Sequence, residues 1–163
     1  MSKRELIAES AYKKIYREDN KIIKMFAEGF PKSEVLNEAL NTARVEEIGL
    51  NVGKIMEVSV VDGKWAITKE YIEGKTLAEH MKEEPDKAEQ FIDRMVDLHI
   101  KINTHTCPLL NRMKEKMTRQ IQELDMIDEA TRYELLTRLD GMPKHYKLCH
   151  GDFQPSNIIV QGD

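Results

Sequence analysis

The sequence predicts an α+β fold, with an antiparallel sheet formed first and helices following it. Three observations carry this prediction. Short β-type runs separated by polar turn clusters fill most of the first 72 residues. Beyond Gly74 the apolar residues recur at helical spacing instead, behind Thr-x-x-Glu and Asp-x-x-Glu starts. The 163 residues are 40% hydrophobic and 33% charged, which suits one medium domain or two small lobes and excludes a disordered chain.

Each element has its own signal. Leu6 to Ala8 is a short apolar strand. Ala11 to Tyr16 carries Tyr12, Ile15 and Tyr16, and the cluster Arg17-Glu18-Asp19-Asn20 turns the chain into Lys21 to Phe26, so these two runs predict a hairpin. Gly29 and Pro31 end the sheet segment. Ser33 is read as the N-cap of a helix to about Ile48, with Val35, Leu36, Ala39, Leu40 and Ala43 at helical spacing and Gly49 as its stop. Lys54 to Val61 and Lys64 to Ile72 flank Asp62-Gly63, a strong two-residue hairpin signal.

The second half changes period. Thr76 with Glu79 predicts a capping box and a short helix to about Lys82. Asp86 with Glu89 predicts another, opening a helix striped by Phe91, Ile92, Met95, Leu98, His99 and Ile102, with His99 read as a core histidine. Two more helices follow, one marked by Leu110, Met113, Met117, Ile121 and Leu124. The other runs from an Asp128 cap through Leu135, Leu136 and Leu139 to Gly141. Methionines on these stripes are read as core filler. The shift at Gly74 suggests a mixed lobe, then a helical lobe, with a crevice between them.

Several function classes are disfavoured at once. A net charge of −4 is the wrong sign for a dedicated nucleic-acid binder. No apolar run approaches the roughly 18 residues that span a bilayer, and the N-terminus lacks the apolar core of a secretory signal. Cys107 and Cys149 form no C-x-x-C pair, and His80, His99, His105 and His145 have no partner at metal spacing. The expectation is a reduced, cytoplasmic protein with neither nucleic acid nor membrane as partner.

The sharpest chemical signal is Leu148-Cys149-His150-Gly151-Asp152-Phe153-Gln154-Pro155-Ser156-Asn157-Ile158-Ile159-Val160, read as strand, polar loop, strand. Asp152 and Asn157 stand five apart in a proline-containing loop. Phosphoryl transfer needs such a pair: a carboxylate to accept the proton of an attacking hydroxyl, and a neutral oxygen to hold Mg²⁺. His-Gly-Asp-x4-Asn arises by chance in roughly one chain of this size in a few thousand, so the pair is read as functional. Cys149 beside His150 is not read as a nucleophile pair, because adjacent strand residues face opposite ways.

These residues resemble the catalytic loop of the aminoglycoside phosphotransferase and choline kinase family, small-molecule relatives of protein kinases. The resemblance covers nearly the whole chain and implies a protein-kinase-like fold: a nucleotide-binding lobe at 1–69, a hinge at 70–74 and a partial, mostly helical lobe at 75–163. It implies Asp152 as catalytic base, His150 as the loop-orienting residue and Asn157 as a metal ligand. Ile22-Ile23-Lys24-Met25-Phe26 is similar to the family's strand whose lysine holds the α/β-phosphates. Its glutamate partner is Glu38, with Glu34 one turn earlier as rival. Ile67 to Gly74 is similar to the hinge, where the Glu70 carbonyl and the Ile72 N–H would meet adenine. Lys69 stands where an apolar residue is usual, so it would lie over the base or point at phosphate.

Two departures shape the expectation. No glycine-rich loop covers the phosphates, so Ala8 to Ala11 is the expected covering turn, with the Ser10 hydroxyl as donor. In the family a further strand, Ile-Asp-Trp or similar, supplies the principal Mg²⁺ ligand, whereas Val160-Gln161-Gly162-Asp163 is read as the preceding turn. The expectation is therefore a small-molecule kinase using ATP, or GTP, with Mg²⁺ and an acceptor hydroxyl, present as a fragment impaired in transfer. The apolar stripes of helix 86–103 and strand 158–160 would then favour self-association. A non-catalytic nucleotide-binding or regulatory module, and a purely structural interaction domain, are the alternatives.

Overall fold

A computed structural model describes residues 4–162. The first half is one antiparallel sheet. Its strands are β1 (Glu5–Ser10), β2 (Lys13–Glu18), β3 (Lys21–Phe26), β4 (Ile55–Val61) and β5 (Lys64–Glu70), in the order β1-β2-β3-β5-β4. Between β3 and β4 runs α1 (Lys32–Glu47), which packs on β4 and β5. The α+β class expected from the sequence is the observed one.

The turns sit where backbone geometry demands. Two-residue hairpins match the twist of their strands when the turn residues adopt positive φ. Asp62 and Gly63 do so, at 51° and 76°. The β2–β3 turn is Asp19-Asn20 alone, with Asp19 at 53°, so Arg17 and Glu18 belong to β2 rather than to the expected four-residue turn. The β1–β2 turn is Ala11-Tyr12; β1 accordingly runs on to Ser10, and the strand expected at 11–16 lies at 13–18. Ser33 does not cap α1. Pro31 begins the helix, and its carbonyl already accepts from Glu34 and Val35 at 3.1 and 3.3 Å. β5 ends at Glu70, two residues before Ile72.

Alternation along β3 sorts its residues between two cores. Phe26 joins Val35, Ala39 and Ile67 under α1, edged by Phe30, Ile55, Val58 and Trp65. Ile23 and Met25 join Ala66 on the opposite face, with Tyr16 and Val61. Val35 and Ile67 are fully buried, each stabilising by about 1.5–3 kcal/mol over the exposed side chain. Trp65 is thus a packing residue.

The second half begins with β6 (Lys75–Thr76) and α2 (Leu77–Glu83), continues through α3 (Ala88–Asn103), α4 (Met113–Gln122) and α5 (Glu129–Gly141), and closes with β7 (Ile159–Val160). The Thr76–Glu79 capping box forms as expected. The Asp86–Glu89 box does not, because Pro85 opens a 3₁₀ turn over Pro85–Lys87 that absorbs Asp86, and α3 starts at Ala88 without a side-chain cap. Asp128 caps α5, accepting from the Thr131 N–H at 2.7 Å, and that bond lowers its carboxyl below the usual range. At the same junction Arg132 closes the C-terminal end of α4 by donating to the carbonyls of Ile121, Gln122 and Leu124.

Of the expected α3 stripe only Phe91 is buried; Met95, Leu98 and Ile102 are half-buried and Ile92 is 51% exposed, while Val96 and Ile100, off that stripe, are 49% and 58% exposed. Among the described residues no helix is long and apolar enough to cross a membrane.

Candidate functional site

The site is built from β3 outward. Lys24 shares the α1-facing side of β3 with Ile22 and Phe26. Glu38 lies on α1 between the buried Val35 and Ala39, which anchor that side of the helix to the sheet. The two meet: Lys24 Nζ donates to both carboxylate oxygens of Glu38, at 2.6 and 2.5 Å, with 17% and 34% of the side chains exposed. Glu34, the sequence rival, is exposed one turn earlier and does not pair with Lys24.

Lys69 joins this pair. The register sets it opposite Ile22 as Ile67 is set opposite Lys24, so it occupies the same face, one pleat nearer the end of β5 at Glu70. Its ammonium donates to Thr42 Oγ1 at 3.3 Å, and Thr42 in turn donates to the Glu38 carbonyl at 3.0 Å. The lysine is therefore tied to α1. Burial pushes its pKa below 10.5, Glu38 opposes that shift and Lys24 adds to it.

This has a pH consequence. Just below pH 10.5 the unfolded chain holds the Lys69 proton more tightly than the folded one. Stability should rise as pH climbs through the lowered folded value towards 10.5. Thermal melts between pH 8 and 10 should show this rise, and Lys69→Met should flatten it. An unchanged slope in the variant would assign the rise to other groups.

A cavity of about 470 Å³ opens over the pair, lined by Ser10, Tyr12, Lys13, Lys24, Phe26, Phe30 and Glu38. The covering turn expected at 8–11 is the end of β1 plus Ala11-Tyr12. Its backbone is latched, since the Ala27 N–H donates to the Tyr12 carbonyl at 2.8 Å. Ser10 keeps its place in the lining, its hydroxyl within 3.5 Å of the Lys13 carbonyl.

The segment after β5 is irregular until Lys75. The Glu70 N–H donates to the Lys54 carbonyl and the Tyr71 N–H to that of Asn20, both at 2.9 Å, while the Arg17 guanidinium stacks 4.0 Å above the Tyr71 ring. Ile72 follows, half-buried. Gly74, at φ 149°, then passes directly under β7.

The His-Gly-Asp loop differs from the expected strand–loop–strand. No strand precedes it. Leu148 is buried and its N–H donates to the His105 carbonyl at 3.0 Å, and β7 is only two residues, paired with β6. Within the loop, Asn157 Nδ2 donates to the Asp152 carbonyl at 2.9 Å and to Asp152 Oδ2 at 2.8 Å. That use of its nitrogen leaves the amide oxygen of Asn157 for a cation. The Asp152 N–H reaches His150 Nδ1 at 3.3 Å. Asp152, Asn157 and His150 are all exposed.

His99 was not foreseen here. Expected in a core, it is exposed on α3 and stacks on Phe153, ring centroids 4.7 Å apart and 20° from parallel, while His150 meets the same ring edge-on at 5.8 Å. Its sequence position on an apolar stripe signalled burial and carried no sign of this contact. The 104–112 connection was equally unreadable. Asn111 donates to Asn37 at 2.9 Å, beside Glu38, and the Cys107 thiol lies 3.8 Å from the Arg44 carbonyl, so this loop ties α1 to the segment before the His-Gly-Asp turn.

Among the described residues no group of three or more His, Cys, Asp or Glu is arranged around a metal position. Asp163 lies outside the described residues. No family model matches the chain, and no curated protein matches it either.

Proposed function

We propose that the chain has a protein-kinase-like fold, with lobes at 1–69 and from 75 onward joined by a hinge at 70–74. We propose further that its activity is transfer of the γ-phosphate of ATP, or GTP, to a hydroxyl of a small molecule. The observation that carries this reading is the Lys24–Glu38 pair beneath the β1–β2 turn. A lysine held by both oxygens of a helix carboxylate presents its ammonium at a fixed point, which is what orienting an α/β-phosphate requires.

The roles follow from the chemistry of each group. Lys24 orients the phosphates and Glu38 fixes Lys24. Ser10 offers a hydroxyl from the covering hairpin. The Glu70 carbonyl and Ile72 N–H read the base edge. Asp152 accepts the proton of the acceptor hydroxyl as the acceptor oxygen attacks the γ-phosphorus and the bond from that phosphorus to the β–γ bridging oxygen breaks, releasing the nucleoside diphosphate, and His150 steadies the Asp152 backbone. The Asn157 oxygen would hold Mg²⁺, which neutralises charge on the β/γ-phosphates when bound. That Asn157 Nδ2 already grips Asp152 supports a loop prepared for this division of labour.

Calorimetric titration of ATP into the chain, with and without Mg²⁺, tests the binding half. Transfer of labelled γ-phosphate to a panel of hydroxyl compounds tests the rest. Asp152→Asn should cut transfer by about 10²–10⁴-fold with ATP affinity unchanged within about twofold. Equal transfer by the variant would remove the assigned base. One observation favours a second reading, a non-catalytic nucleotide-binding module: the cavity over Lys24 and a neighbouring one of about 360 Å³, lined among others by Glu9, Lys14 and Tyr16, both lie in the sheet half, and Asp152 lines neither. ATP binding without transfer to any acceptor would select it.

A further inference from the structure

We infer that Lys13 is a second phosphate-binding residue, and that its ammonium supplies the attraction for anions that a glycine-rich turn would otherwise provide through its backbone. The inference rests on the nucleotide-binding reading of the Lys24 site and adds a ligand to it.

Charge in the cavity over β3 is the first argument. Its lining carries two ammonium groups, Lys13 and Lys24, and one carboxylate, Glu38. Glu38 spends both oxygens on Lys24, so that pair contributes geometry but little net field. Among the described residues Lys13 forms no ion pair, whereas its neighbour Lys14 is paired with Glu9 at 2.9 Å. Among the residues that line this opening the net positive charge is therefore that of Lys13, and an uncompensated cation in a concave site concentrates anions there.

Placement is the second argument. Lys13 faces Phe26 across β2 and β3, which puts it on the same side of the sheet as Lys24, one pleat nearer the covering turn. The first residue of a strand inherits the rigidity of its turn. Here the turn is latched by the Ala27-to-Tyr12 bond at 2.8 Å, and Lys13 itself is paired with Ser10 across the hairpin. A hydroxyl and an ammonium are thus presented together above Lys24. A chain of phosphates, negatively charged at each link, is the ligand chemistry that fits two separated cations on one face.

The test compares three single variants of the full chain, Lys13→Met, Lys24→Met and Lys14→Met, titrated with ATP, inorganic tripolyphosphate and adenosine. Lys13 is exposed, so its replacement should leave the melting temperature unchanged, which circular dichroism verifies. Lys13→Met should weaken ATP and tripolyphosphate about tenfold, leave adenosine alone and reduce the salt dependence of ATP binding. Lys14, which lines the neighbouring cavity of about 360 Å³ and not this one, should show no effect.

Wild-type affinity in Lys13→Met, with loss in Lys24→Met, would overturn this inference and leave the nucleotide-site reading standing. Loss in Lys13→Met with none in Lys24→Met would overturn the Lys24 reading and, with it, the inference that Lys13 is second to Lys24. Equal losses in Lys13→Met and Lys14→Met would reduce the effect to general surface charge and overturn it, as would a wild-type chain that binds neither ATP nor tripolyphosphate.

Discussion

Gly74→Ala is expected to lower the melting temperature by roughly 5–15 °C and to unseat the end of the His-Gly-Asp loop. A Cβ at this position would fall against the Val160 carbonyl oxygen, well inside van der Waals contact, and 3.0 Å from Ile159 Cγ2. The first obstacle is backbone and cannot swing aside. The φ of 149° adds strain for any L side chain. Strain of about 1–3 kcal/mol and overpacking of similar size give about 2–6 kcal/mol, at roughly 2–4 °C per kcal/mol for a chain of this length. Opening of the short β6–β7 ladder limits the loss, since the chain can surrender that pairing and keep the sheet. Hydrogen exchange would then show the Leu77 amide, which donates to the Ile158 carbonyl at 2.8 Å, losing protection while β3 and β5 keep theirs. Gly63→Ala is the control: it also has positive φ, but nothing lies within 4 Å of its Cβ position, so strain alone applies. A melt of Gly74→Ala no lower than that of Gly63→Ala would show that the close approach does not matter.

What the sequence disclosed follows the range of the interaction. The Asp62-Gly63 turn, the Thr76–Glu79 box and the Asp128 cap are decided within four residues, and each formed where its pattern lay. The Asp86–Glu89 pattern was equally local but lost to a stronger neighbour, because Pro85 fixes its own φ and starts a turn one residue earlier. Ala11-Tyr12 has none of the residues that mark turns, so β1 and β2 could not be separated correctly until the pairing with β3 set the register. Lys24 was legible as a strand residue, but only the packing of α1 could choose Glu38 over Glu34. The need for Gly74 depends on β7, 85 residues further on, and no local pattern carries that. His99 shows the same limit from the other side. Period alone placed it in a core, whereas the α3 stripe beyond Phe91 is at most half-buried, at Met95, Leu98 and Ile102, and the His99 ring stacks on Phe153 instead.

Lys24→Met should separate the stability role of the ion pair from its proposed role in binding. Removing one partner of a fully buried pair costs about 3–5 kcal/mol, because a charge is left unpaired in low dielectric. Here Glu38 is 34% exposed, and Lys69 lies close enough to bias it electrostatically. The carboxylate can turn to water or to Lys69, so the expected loss of stability is about 1–2 kcal/mol. Binding should suffer far more. In the proposed role the Lys24 ammonium would make charge-assisted bonds to phosphate worth about 1.5–3 kcal/mol each, which predicts ATP affinity falling by about 100-fold or more with adenosine little changed. Glu38→Gln keeps the shape and removes the charge that anchors Lys24, and should cost about tenfold. The double variant decides the mechanism. If Glu38 acts only by holding Lys24, adding Glu38→Gln to Lys24→Met should weaken ATP no further, a coupling that a double-mutant cycle measures directly. Fully additive losses would mean that Glu38 meets the ligand by a route of its own. Unchanged ATP affinity in Lys24→Met, in a chain that still folds, would leave the pair as a structural tie between α1 and β3 and withdraw the phosphate-orienting role.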